Sequence, residues 1–422
     1  MSKLIAIGSV AMVAMAFTGT ACASPISQAT VVSTDPANFT PRVTTGVAVY
    51  KMLQVGNTMY AGGEFTQIQN STRASTFNRN NLFSFDATNG TVNPLSVTFD
   101  AGLVWGLAAS GSSLYVGGTF HSVNGVARRG LVKLDAASGA VDTTFNAHLT
   151  GAVQDVQVVG GRLIIGGKFA KRLQAVDLVT GADTGYLNLN ITGTTDTNAG
   201  ATDIYRFAVS VTPTGATRLV AIGNFTSVSG STRYRAFMLT LGATSGTLAP
   251  WYYTHLNERC RAASLPAQLR DVDFSPNGAF FVIVATGFIP QAGQENTAIC
   301  DATFRFETGV RNPTTTVTPT WRNYTGGDTL HSVVVTNAAV YIQGHERWVN
   351  STSASGCFGG CVSRPGIAAL DPVTGLALPW NPTKDRGVGG KDLLLTPAGL
   401  WVASDTIHIG GEIHERLAFM PL

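Results

Sequence analysis

Leu114-Tyr115-Val116-Gly117-Gly118-Thr119-Phe120 decides the fold because it returns along the chain. It stands upstream as Met59-Tyr60-Ala61-Gly62-Gly63-Glu64-Phe65. Downstream it reads Leu163-Ile164-Ile165-Gly166-Gly167-Lys168-Phe169, then Val220-Ala221-Ile222-Gly223-Asn224-Phe225. Weaker copies are Val284-Ala285-Thr286-Gly287-Phe288, Val340-Tyr341-Ile342-Gln343-Gly344 and Leu400-Trp401-Val402-Ala403-Ser404. With the second Gly or its equivalent as the mark, the copies stand at 63, 118, 167, 223, 287, 344 and 404. Their mean spacing of about 57 residues is a fixed period, the signature of a repeat architecture.

Each mark has the same surroundings. Before it lie Val49-Tyr50-Lys51-Met52-Leu53, Val104-Trp105-Gly106-Leu107 and Val153-Gln154-Asp155-Val156, apolar at strand period. After it come strands that end in an acidic turn: Leu82-Phe83-Ser84-Phe85-Asp86, Leu131-Val132-Lys133-Leu134-Asp135 and Ile367-Ala368-Ala369-Leu370-Asp371. A fourth stretch ends in an aromatic at Phe99, Phe145, Trp251, Trp321 and Trp380. Short alternating runs separated by Gly, Asn and Asp read as antiparallel strands, and no segment keeps a helical period. Four strands per unit and seven units predict an all-β chain, a seven-bladed β-propeller of four-stranded antiparallel blades. Such a ring hides its sheet edges by radial repetition. Asn38-Phe39-Thr40-Pro41 followed by Gly46 copies the end of a unit, with Phe39 in the Phe99 slot. Arg416-Leu417-Ala418-Phe419-Met420-Pro421-Leu422 reads as a third strand lacking its fourth. The N-terminal strand is therefore expected to complete the last blade.

The pattern Gly-Gly-x-Phe, then Leu-x-x-Leu-Asp-x-x-x-Gly, then Val141-Asp142-Thr143-Thr144-Phe145, resembles the delta-60 type β-propeller repeat of secreted bacterial proteins. Pro365 to Asp371, Trp380-Asn381-Pro382, Asp392-Leu393-Leu394 and Leu400-Trp401-Val402 resemble an exported actinobacterial group with this propeller. The resemblance spans nearly all of residues 24–422, although repeats five to seven depart from Gly-Gly-x-Phe. It implies a fold and an extracellular compartment, and it brings no activity with it.

The N-terminus reads as an address. Lys3 precedes an apolar stretch from Leu4 to Phe17, and Ala21-Cys22-Ala23 supplies a small-x-small cleavage pattern. Residues 1–23 are thus expected to be a signal peptide and 24–422 a single propeller domain. Lipoprotein processing at Cys22 is the alternative, against which Gly19 stands where such signals prefer Leu. In an oxidising compartment the four remaining cysteines are expected to pair as Cys260 with Cys300 and Cys357 with Cys361. Composition narrows the function further. Only 13% of residues are charged, with 28 Lys and Arg against 25 Asp and Glu. That balance argues against nucleic-acid binding, and past the N-terminus no apolar run reaches a membrane span.

In a propeller the innermost strands line a channel. The fourth-to-first and second-to-third connections share one face, and the long connections of this chain fall there: Thr66 to Arg79, Ile289 to Asp301, Glu346 to Pro365, Thr192 to Ala201 and Asn257 to Leu269. Elaborated loops on a rigid scaffold are where binding sits. Trp348, after His345-Glu346-Arg347, and Tyr324 are aromatics outside the regular slots, suited to stacking on a sugar ring. Tyr252 and Tyr253 belong to the same set. His331, beside Asp328 on an innermost strand, is expected to face the channel. An arginine recurs before the third strand at Arg79, Arg129, Arg172, Arg235, Arg364 and Arg416. Either a polyanion site or one structural contact made once per blade would produce that series.

No calcium loop, P-loop, nucleophile elbow or dinucleotide motif is present, so no cofactor, metal or catalytic residue is assigned. The expected function is a secreted, monomeric, non-catalytic binding or adhesion propeller. It would recognise an extracellular glycan or protein through the loop face of blades five and six. Its candidate residues are His345, Arg347, Trp348, Tyr324, His331 and Asp328. One alternative is a glycan hydrolase or lyase at the channel mouth, with His331, Asp328 or His345 as acid–base groups. Another is a structural spacer in a cell-surface assembly.

Overall fold

The computed structural model describes residues 26–261, 267–309 and 317–422, so the leader at residues 1–23 lies outside the described residues. Apart from two short 3₁₀ turns, all regular structure described is β-strand. Of the nine antiparallel sheets of three or four strands among the described residues, seven are built on a first strand of six to nine residues, and these follow one another along the chain. Their first strands are Ala48–Val55, Val104–Ser110, Val153–Val159, Asp203–Val211, Gln268–Phe274, Leu330–Val335 and Gly390–Thr396. Each packs on the first strand of the next sheet, and the last packs on the first. Radial stacking of this kind is that of a β-propeller.

The second strands, such as Arg162–Gly167, are buried almost throughout. They are covered on both faces by neighbouring sheets, so they read as continuous apolar runs rather than as alternation. Apolar clusters fill the space between successive sheets. Tyr60 and Leu82 of the first sheet pack with Val104, Leu107 and Leu114 of the second. Trp401 and Phe419 of the last pack with Met52, Phe83 and Phe85 of the first. The aromatics Phe99, Phe145, Trp251, Trp321 and Trp380 are all buried.

The two glycines of the motif do different work. A Cβ on Gly63, Gly118, Gly167, Gly223 or Gly344 would lie within 2.3 Å of a carbonyl oxygen at or just before the start of the adjoining first strand. On Gly62, Gly117 or Gly166 it would strike Val104, Val156 or Ile204 of the next sheet. Where the first glycine is absent, room is made elsewhere. Gln343 reaches across to the carbonyls of Asp392 and Ala403, and Gly390 opposite leaves the space its side chain needs.

Register corrects one mark. Leu269 pairs with Ala285 as Val49 pairs with Gly63, so the fifth mark is Ala285 and not Gly287. Gly287 occupies the slot that holds Phe65, Phe120, Phe169 and Phe225 elsewhere. A Cβ there would meet the Cys260 sulfur at 2.4 Å, so the cysteine pair fills volume that a phenyl ring fills in other repeats. Cys260 and Cys300 lie at bonding distance with Cα atoms 5.8 Å apart, and Cys357 and Cys361 likewise at 5.5 Å.

The arginine series resolves into two structural sets, neither of which forms a ring of free cations. Arg79, Arg128, Arg233 and Arg364 each donate to the preceding carbonyl and to one in the fourth segment, at Asn93, Thr143, Ala249 and Leu378. Arg172, Arg235 and Arg416 occupy a left-handed position just before the third strand, shared with Asn81, Gly130, Asp301 and Gly366. Their guanidinium groups cap loop carbonyls, as Arg416 does at Val43, Gly46 and Val47. Arg129 donates to the Thr150 carbonyl.

Among the described residues full fourth strands occur in two sheets, Gly246–Leu248 and Trp321–Tyr324. Elsewhere the fourth segment touches its neighbour through one bridge, at Val92, Val141, Asp183 or Ala377. Pro94 and Pro379 lack the N–H that a ladder needs, and the Asp142 carboxylate turns the chain by accepting from Thr144. On the last sheet the outer position is taken by the N-terminal segment. Ser33 N donates to Pro421 O (2.7 Å), and Ala37 N donates to Phe419 O (2.8 Å). The Phe39 ring lies 6.1 Å from Trp401 and 5.8 Å from Phe419.

Candidate ligand-binding site at the channel mouth

All seven first strands carry a bulge at the same place. The register skips Tyr50, Trp105, Gln154, Tyr205, Arg270, His331 and Lys391. An extra residue in one strand has no cross-strand partner, and its side chain is re-aimed. Here all seven side chains are half-buried and line one cavity of about 390 Å³. Because the bulges lie at the starts of the first strands, the cavity opens on the face that carries the long connections. Leu103, Lys168, Ala199, Arg206, Gln268, Val388 and Gly390 complete the wall. Among the described residues no Asp or Glu lines it.

The wall is polarised. Three successive sheets contribute Arg270, His331 and Lys391, while Tyr50, Trp105 and Tyr205 supply aromatic surface from the first, second and fourth. Carboxylates stand behind two of the cations: Lys391 Nζ is 3.5 Å from Asp405, and Lys168 Nζ is 3.7 Å from buried Asp203. Arg270 has no such partner. It donates to Gln268 Oε1 (2.6 Å), and its buried Nε has no hydrogen-bond partner.

Burial holds the His331 imidazole well below its usual pKa, with Arg270 and Lys391 adding to the effect, so the ring is neutral at pH 7. Burial likewise lowers Lys391, opposed by Asp405. The Tyr50 phenol is pushed up to about 12 by burial and then by the Glu64 carboxylate. Asp203 is pushed up to about 7 by burial, with Lys168 opposing.

Below the mouth, charged groups tie sheets together. Asp155 Oδ2 accepts from Phe207 N, Asp271 Oδ2 from Val333 N and Asp392 Oδ2 from Met52 N, each at 2.9 Å. Lys51 Nζ lies 3.0 Å from Asp392 Oδ1. A second cavity of about 190 Å³ lies among these groups.

Of the residues singled out in the sequence, only His331 lines the mouth. Asp328 is buried in an ion-pair cluster, 2.8 Å from Arg347 Nε and 3.1 Å from Arg386 Nη2. Arg347 in turn lies 4.2 Å over the Trp348 ring, on a small rim hairpin where Trp348 pairs with Ser363. His345 Nδ1 contacts the Gly387 carbonyl. Tyr324 and Tyr253 are buried in the apolar cluster around the Cys260–Cys300 pair.

Sequence reasoning passed over Tyr50, Trp105, Gln154, Tyr205, Arg270 and Lys391, although a positional signal existed. In five repeats the cavity residue stands thirteen places ahead of the mark, as Tyr50 does before Gly63 and Lys391 before Ser404.

Residues 113–145 match a family described as a domain of unknown function (DUF5122) beta-propeller. No curated protein matches the chain. Among solved structures it is similar to the Dos1 propeller, at 11% identity and a TM-score of 0.51, over 92% of this chain and 95% of that one. It is also similar to the propeller domain of Cps50 (Swd1) from Myceliophteria thermophila (11% identity, TM-score 0.48, covering 92% and 100%). BamB from Moraxella catarrhalis follows (11% identity, TM-score 0.47, covering 89% and 98%). At such identity the likeness to the Dos1 propeller speaks to fold alone. The chain is a β-propeller protein.

Proposed function

We propose that this chain is an exported, monomeric binding propeller of seven blades, with its ligand site at the channel mouth. The ring reading is supported by the packing of the last first-strand on the first and by the docking of Ser33 and Ala37 on the last sheet. Export is supported by the leader pattern and by two cysteine pairs at bonding distance. Among the described residues no helix is long and apolar enough to cross a membrane.

One observation carries the binding reading: seven bulges aim seven side chains of six residue types into one cavity. A bulge kept for shape alone would not need aromatic, amide and basic side chains together. The long connection of blade five and the rim hairpin of blade six, with Trp348, would extend the surface beside the mouth. Two-carboxylate glycan cleavage needs an acid pair flanking the bond. The described lining has no carboxylate, and Asp328 is engaged by two arginines.

A glycan array on the mature protein, with Trp105→Ala and Trp348→Ala alongside, tests the site. Loss of the array signal in Trp105→Ala but not in Trp348→Ala places recognition at the mouth. The opposite result places it on the rim.

A further inference from the structure

We infer that the mouth takes the acidic residue of a glycan: a hexuronate whose carboxylate meets Arg270 and whose ring lies against the aromatic arc. This rests on the binding site proposed above and names its ligand class. The charge balance of the wall comes first. Two of its cations have carboxylates behind them, Lys391 with Asp405 and Lys168 with Asp203. Arg206 donates to the Gln154 carbonyl (2.7 Å) and stands over the acidic tier below. The Asp271 carboxylate of that tier lies near Arg206, which among the described residues leaves Arg270 as the cavity cation with no acid beside it. One uncompensated charge suits a singly charged group. A phosphate monoester carries nearly two.

Shape comes second. The guanidinium is a planar fork, and one of its edges is taken by Gln268. Nε is enclosed without a protein partner, so the outer Nη groups are what the fork offers to a ligand. Two parallel N–H groups on that outer edge match the two oxygens of a carboxylate.

The remainder of the wall selects the body that carries the carboxylate. Trp105 and Tyr205 offer flat faces, while Gln154 Oε1 and Gln268 Nε2, the amide atoms not already bonded to Asp203 and Arg270, offer partners for hydroxyls. An aryl acid would leave those polar groups unused. At about 390 Å³ the cavity lies at the lower end of the ~300–1,000 Å³ of small-ligand sites, which fits a terminal residue rather than a long chain.

The test is calorimetry at pH 7 with four probes: a glucuronate-terminated disaccharide, its glucose-terminated counterpart, a sulfated glucose and benzoate. Proteins are the wild type, Arg270→Gln, Arg270→Lys and Trp105→Ala. The expected result is roughly tenfold or greater preference for the uronate over the neutral sugar, the worth of one charge-assisted contact. Arg270→Gln should abolish that preference, and Arg270→Lys should restore only part of it. Trp105→Ala should weaken both sugars. Equal affinity for acid and neutral sugar, lost together in Trp105→Ala, overturns the acidic-residue inference and leaves the site standing. Tighter binding of the sulfated sugar or of benzoate overturns the inference as well. If Trp105→Ala changes nothing for a glycan that the wild type does bind, both readings fall. The wild-type comparison decides the preference even if an Arg270 variant does not fold.

Discussion

Asp301 shows how one position can be read from its counterparts. It occupies the left-handed slot before a third strand where the first repeat has Asn81. Its Oδ1 accepts from Gly287 N (2.9 Å), as Asn81 Oδ1 accepts from Phe65 N (2.9 Å). Its Oδ2 is buried without a partner. Burial pushes the carboxyl up to about 8, against the backbone amides that favour its charged form. The folded chain therefore keeps this proton up to about pH 8, while the unfolded chain gives it up near ~4. Stability from this group is complete below pH 4 and declines as pH rises towards 8. Asp301→Asn keeps the acceptor and removes the titration. It should raise the melting temperature at pH 8 and have little effect at pH 4. Each kcal/mol recovered corresponds to ~2–4 °C or less for a chain of this size. Equal shifts at both pH values would show that Asp301 is not the titrating group. Glu346 presents a similar case. It stands in the slot that Phe65, Phe120 and Phe169 fill, it is fully buried, and both its oxygens lack hydrogen-bond partners. Burial raises its pKa, and buried Lys384 nearby opposes that shift.

Individual strands account for what could and could not be read in advance. The marks were legible because each second glycine answers a backbone collision. A Cβ on Gly63 would sit 2.2 Å from the Ala48 carbonyl. Gly63→Ala should therefore cost ~1–3 kcal/mol or more by denaturant melt. Gly56→Ala, with φ 56° and open space around it, should cost only ~1 kcal/mol. The cavity was not legible because a bulge adds one residue to a two-residue alternation. Tyr50, Gln154 and Lys391 share a position but no residue type, so similarity between repeats passes over them. Fourth strands were over-read, because the recurring aromatic marks a core contact and not a ladder. Phe39 is only partly buried, unlike Phe145. Phe39→Ala should cost about 2–3 kcal/mol and Phe145→Ala about 3–5 kcal/mol. Equal and negligible losses would separate the N-terminal segment from the last sheet. The cysteine pairs differ in reach, with sequence separations of 40 and 4. By loop-closure entropy the Cys260–Cys300 link is worth roughly 4 kcal/mol and Cys357–Cys361 roughly 2 kcal/mol. Cys260→Ala/Cys300→Ala should thus lower the melting temperature more than Cys357→Ala/Cys361→Ala.

For the whole molecule, the entry of the chain bears on how the protein faces its surroundings. Gln28 Nε2 donates to the carbonyls of Thr396 and Gly399, and Ala338 N donates to the Gln28 carbonyl. Those groups belong to turns between first and second strands, at the far end of the strands from the bulges. Anything joined ahead of residue 26, whether an anchor or a tag, would emerge from the underside. A copy tethered there would hold its opening towards the medium, and immobilising the protein by that end should leave capture unimpaired.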